Sequence, residues 1–101
     1  KGKAYIQQVN FVRRQRLKKA GSIDFKQIQN IYEQNIKKYG TLTCYLCFLP
    51  IDFGLDSLDH KTPISRGGYN CFENLDVAHL SCNKRKHRKT EDEYRSWLMS
   101  R

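Results

Sequence analysis

At 101 residues, 39% of them apolar and 29% charged, the chain has the size and composition of one globular domain. No apolar run approaches the roughly 18 residues of a membrane helix, so the sequence reads as soluble, with no membrane partner. Nineteen Lys and Arg against ten Asp and Glu give a formal charge of +9, which favours a polyanionic partner such as nucleic acid.

The charge is uneven. Residues 1–40 carry ten basic and two acidic side chains, residues 41–101 nine and eight. In chain order, "KAYIQQVNFVRRQRLKKAG" places Tyr5, Val9, Val12 and Leu17 close to helical spacing and stops at Gly21, which predicts a basic helix. In "SIDFKQIQNIYEQNIKKYG", Asp24 is an N-cap with Gln27 three residues on. Ile28, Ile31, Tyr32, Ile36 and Tyr39 share one face, and Gly40 ends the helix. From Thr41 to about Ala78 the signals are short β-rich pieces, "TLTCYLC", "SLDH" and "NLDVA", separated by Pro and Gly turns. A helix is expected from about His79 or Ser81 to Lys89, and Thr90 with Glu93 opens a last one that faces inward through Tyr94, Trp97 and Leu98. Residues 1–40 are therefore expected to be a basic helical extension and 41–101 a core, together one compact unit.

Cysteine spacing points to a metal rather than to disulfides. Cys44 and Cys47 form a C-x2-C pair, and His79 with Cys82 an H-x2-C pair, together three thiolates and one imidazole for a tetrahedral Zn²⁺. Four protein ligands close the site to water, so its role is stability. Cys71 is left over, as a packed free thiol or a substitute ligand.

The 31 residues between the two pairs are more than a simple finger needs. They hold Asp59 and His60, Pro63, Gly67 and Gly68, then Asn74 and Leu75, and Asn83 and Lys86 follow the last cysteine. Read in order as "CYLC", "LDHKTP", "SRGG", "ENL" and "HLSCNKRK", these pieces resemble the HNH endonuclease family over residues 44 to about 89. The resemblance implies a small α+β fold with a ββα-metal (His-Me finger) core, here stabilised by zinc and flanked by N- and C-terminal helices. It also implies metal-dependent hydrolysis of DNA phosphodiester bonds.

The residues carry that chemistry. Hydrolysis needs a deprotonated water and a cation on the scissile phosphate. His60 accepts a proton near neutral pH and is the candidate general base. Asp59 and Asn83 offer hard oxygens that suit Mg²⁺ or Mn²⁺, and by resemblance they bind the catalytic ion. A regular strand would point Asp59 and His60 to opposite faces, so both serve one site only at a strand end or bend. By resemblance Asn74 orients the His60 ring. Asn83 fills the family's third position, where His is usual, making an H-N-N variant. Lys86, one turn from Asn83, is placed to hydrogen-bond the phosphate, and Lys84, Arg85, Arg88 and Lys89 to neutralise DNA. Arg13, Arg14 and Arg16 either follow the duplex backbone or sit on a linker helix.

One such site cuts one strand, so the expectation is a nicking endonuclease acting as a monomer or weak homodimer. The alternative is a non-catalytic zinc module that binds nucleic acid; it has no need of Asp59, His60 and Asn83 together. A basic surface that meets an acidic protein is a weaker third reading.

Overall fold

The computed structural model describes residues 21–101. The basic helix read over the preceding residues, with Arg13, Arg14 and Arg16, lies outside them.

The described chain is α+β: α1 (Phe25–Tyr39), β1 (Asp56–His60), β2 (Leu75–His79), α2 (Leu80–Lys86) and α3 (Glu91–Met99), with 3-10 turns at Ile64–Arg66 and Phe72–Asn74. Helix α1 starts where Asp24 accepts from the Gln27 amide at 2.8 Å and Gln27 answers the Asp24 amide at 2.9 Å. It stops at Gly40, whose φ of 87° is open to glycine at little cost. The capping box of α3 forms likewise between Thr90 and Glu93. Helix α2 ends at Lys86, three residues before the Lys89 expected from sequence, because His87 turns to φ 53°.

Strands β1 and β2 pair antiparallel, with Asp56 opposite His79, Leu58 opposite Val77 and His60 opposite Leu75. Strand β2 runs directly into α2, so the two strands and this helix form one ββα unit. Its core joins Leu75, Val77, Ala78 and Cys82 to Cys44, Tyr45, Leu46, Ile51, Ile31 and Tyr94.

Two sequence readings change. "TLTCYLC" is not a strand: Thr43 makes an isolated bridge to Pro50, and residues 45–47 form a turn. The inward face of α1 is also different. Ile31 is buried as expected, but Ile36 is 44% exposed and Asn35 takes the inner position. Asn35 accepts from the Thr43 amide at 2.8 Å and donates to the Thr43 carbonyl at 2.7 Å and to Asp76 at 3.1 Å. Its amide thus pairs both backbone groups of a segment that has no strand beside it there, and a buried amide so satisfied costs little.

Helix α3 closes the unit from the other side. Arg95 donates to the Tyr45 carbonyl at 2.6 Å, pairs with Glu91 at 2.8 Å and lies 5.0 Å from the Phe48 ring centroid. Phe48 needs that support, since it follows Cys47 with φ 62°, an uncommon conformation for a bulky side chain.

Candidate functional site

Cys44, Cys47, His79 and Cys82 offer ligand atoms that all lie within 4.8 Å of one another, although 31 residues lie between Cys47 and His79. The turn at residues 45–47 delivers the first pair, and the junction of β2 with α2 delivers the second. His79 Nδ1 is 3.3 Å from Cys47 Sγ and 3.8 Å from Cys82 Sγ. The far ring nitrogen, Nε2, lies 3.1 Å from the Pro50 carbonyl, which accepts its proton and leaves Nδ1 free to ligate. Cys44 receives the His79 amide at 3.4 Å. Burial opposes ionisation of Cys44, but the amides of His79, Cys47 and Leu46 outweigh it and lower its pKa. Burial and the neighbouring thiols push Cys82 up to about 12. Three sulfurs and one imidazole nitrogen at this spacing fit a structural zinc site.

On the same ββα unit, β1 is half-buried over residues 56–58, buries Asp59 and ends at the half-buried His60. Asp59 turns inward and is 6% exposed, while His60, the final strand residue, faces the loop that follows. The Asp59 carboxylate accepts from the Tyr45 hydroxyl and lies 3.2 Å from Lys86 Nζ. Burial first, and the Asp59 carboxylate second, raise the Tyr45 pKa well above that of an ordinary phenol, so Tyr45 remains a donor.

Lys86 corrects a sequence reading. Its side chain is 0% exposed, and its ammonium donates to Asp59 and, at 2.8 Å, to the His60 carbonyl. It braces the end of β1 from inside rather than presenting its charge to a phosphate. Sequence spacing put it one turn from Asn83, which left open whether the stem pointed out or in; hydrophobic periodicity says nothing about a lysine whose charge is matched by a buried carboxylate.

Asn83 on α2 lies against β1, donating to Ser57 Oγ at 3.1 Å and lying 3.5 Å from the Leu58 carbonyl. Its Oδ1 accepts from no donor among the described residues. Asp59 retains acceptor capacity too, since a carboxylate has about four lone-pair sites. The oxygen donors expected at a catalytic cation therefore sit on adjoining elements, and oxygen ligands fit Mg²⁺ or Mn²⁺.

Asn74 ends the 3-10 turn that precedes β2 and holds the loop beyond His60. Its side chain accepts from the Thr62 amide and donates to the Thr62 and Tyr69 carbonyls, each at 2.9 Å; its own carbonyl accepts from the Lys61 amide at 2.8 Å. The loop is drawn so close that a Cβ on Gly68 would lie 1.9 Å from the Thr62 oxygen. Asn74 thus acts on backbone beside His60. The ring's own partner is Asn70, whose Oδ1 lies 2.6 Å from His60 Nε2, a contact the sequence did not reveal because it depends on how the Gly67-Gly68 turn is laid. Tyr45 and Arg95 were missed for a similar reason, since each reaches the site across more than ten residues of chain.

The "KRKHRK" cations divide. Lys84, Arg85 and Arg88 are exposed, Lys86 is buried, and Lys89 is half-buried with its ammonium 5.1 Å from the Trp97 ring centroid. No helix among the described residues is long and apolar enough to cross a membrane.

Two paired strands running into a helix, with an Asp-His pair at the end of the first strand and a Cys3His cluster fastening the base, define the ββα-metal class. Residues 44–89 match the model of the HNH endonuclease family. No curated protein matches the chain. A solved structure described as the crystal structure of a type II restriction endonuclease aligns with a TM-score of 0.47 and 24% identity, over 68% of this chain and 36% of that one. The chain thus spans about a third of the length of that structure.

Proposed function

We propose that the domain hydrolyses DNA phosphodiester bonds, nicking one strand per encounter as a monomer or weak homodimer in an intracellular setting. The reading is carried by one observation: Asp59 and His60 stand at the end of β1 where Asn83, with its Oδ1 unengaged by any described donor, packs against the same strand. Asp59 and Asn83 hold a Mg²⁺ or Mn²⁺ ion, and Cys44, Cys47, His79 and Cys82 hold Zn²⁺. When bound, the hard cation supplies charge stabilisation for the phosphate and the departing oxygen.

The chain's own residues do the rest. His60 takes the proton of the attacking water. Tyr45 and Lys86 hold the Asp59 carboxylate oriented and fixed before any substrate arrives. Asn74 fixes the loop that His60 faces. Lys84, Arg85, Arg88 and Lys89 neutralise backbone phosphates without reading sequence, and Arg13, Arg14 and Arg16 extend that basic track.

The test is supercoiled plasmid with Mg²⁺ or Mn²⁺, wild type beside His60→Ala. Wild type is expected to give open circles and His60→Ala to lose about a hundredfold or more in rate. A wild type that binds plasmid but leaves it supercoiled under every divalent ion would make the chain a zinc-containing nucleic-acid-binding module instead.

A further inference from the structure

Asn70 is fixed at both ends of its amide. Its Nδ2 donates to the Gly21 carbonyl at 3.0 Å, and its Oδ1 faces His60 Nε2 at 2.6 Å. A carbonyl oxygen on one side obliges the amide nitrogen to point that way, which leaves the amide oxygen for the ring. That oxygen can only accept, so the proton of a neutral His60 sits on Nε2 and the lone pair on Nδ1. The backbone beside Asn70 is equally constrained, because Asn74 Nδ2 donates to the Tyr69 carbonyl at 2.9 Å and Gly68 is packed against Thr62 too closely for any side chain. Among the described residues no other side chain hydrogen-bonds the His60 ring.

We propose that Asn70 is a positioning residue that holds His60 as the Nε2–H tautomer and so makes Nδ1 the nitrogen that accepts the water proton. The assignment rests on His60 being the base. It gives Asn70 a role that neither Asn74 nor the metal ligands can fill, since a ring free to exchange tautomers presents its lone pair in the right direction only part of the time. Through the Gly21 carbonyl it also ties the base to the segment that precedes α1.

The experiment is ¹⁵N-resolved NMR of the zinc-loaded full chain at alkaline pH, where imidazole is neutral, with plasmid nicking measured on the same samples. Wild-type His60 is expected to show a protonated Nε2 and an unprotonated Nδ1. Asn70→Ala is expected to give a mixture of tautomers and to lose about tenfold or more in kcat with KM within about twofold. Asn70→Asp, which keeps an oxygen facing the ring, is expected to restore both the tautomer and most of kcat. A wild-type ring protonated on Nδ1, or Asn70→Ala with wild-type tautomer and kcat, overturns the assignment. The NMR needs no DNA, so a chain with an Nε2–H ring that cuts nothing contradicts the nuclease reading and still supports the tautomer assignment.

Discussion

Lys86 and Asp59 show how a charged residue can be structural at a reactive site. Their pair is desolvated, with Lys86 0% exposed and Asp59 6% exposed, and each makes one further bond, Lys86 to the His60 carbonyl and Asp59 from the Tyr45 hydroxyl. Removing one partner leaves the other charge buried and unmatched, so Lys86→Met is expected to lower folding stability by about 3 kcal/mol. Denaturant unfolding of the zinc-loaded chain measures this. If Lys86→Met keeps wild-type stability and only weakens DNA binding with a flatter salt dependence, the lysine contacts phosphate instead. Asp59, His60, Asn83 and the set Cys44, Cys47, His79 and Cys82 were legible as candidates because each lies in a motif of short fixed spacing. Asn70, Tyr45 and Arg95 lie in no such motif; their roles arise only after the loop and the cysteine turn are folded.

Elements built on local signals were legible in advance, and those shaped by the metal cluster were not. Both capping boxes and the Gly40 stop are written within four residues of chain, and α1 and α3 follow them. "TLTCYLC" has strand composition but must bring two sulfurs to one point, and the turn at residues 45–47 wins over the local preference. Asn35 interrupts the apolar stripe of α1 because Thr43 needs a hydrogen-bonding partner more than the core needs another methyl group.

Two predictions belong at this scale. A methyl group on Gly68 meets the Thr62 backbone at 1.9 Å, so Gly68→Ala is expected to displace the loop at residues 61–70, lower stability by about 2 kcal/mol and reduce nicking severely; thermal unfolding and the plasmid assay read both. Tyr32 fastens α1 to β1 through a 2.6 Å bond to Asp56. Burial, and then Asp56, raise its pKa to about 12, above the usual phenol value of about 10. The folded chain keeps a proton that the unfolded chain gives up, so this contribution is whole below about pH 10 and is lost as pH rises through about 12. Tyr45 acts in the same direction. Stability should fall above about pH 10, and Tyr32→Phe should remove on the order of 1 kcal/mol of that fall; an unchanged slope would contradict the coupling.

Among the described residues, the Cys3His cluster and the Asp59-His60 strand end lie on the same ββα unit, so on the proposed reading the first sets the geometry of the second. Strand β2 joins them: Leu75 pairs with His60 at one end, and His79 enters the cluster at the other. Chelation of zinc is therefore expected to abolish near-ultraviolet circular dichroism and nicking together, and zinc readdition to restore both. Retention of a folded signal after complete zinc removal would separate the two functions of the unit. On the proposed reading, exposed Lys84, Arg85 and Arg88 would give the chain a salt-dependent affinity for DNA.

In the proposed mechanism an oxygen-ligated cation and His60 act together on a zinc-held frame. Its most direct test is single-turnover nicking by Asn83→Ala in Mg²⁺, with zinc content and DNA affinity measured on the same preparation. The variant is expected to hold one zinc tightly per chain, to bind DNA within about threefold of wild type, and to cleave more slowly by about a hundredfold or more. Equal cleavage by Asn83→Ala, with zinc and DNA binding intact, would contradict it.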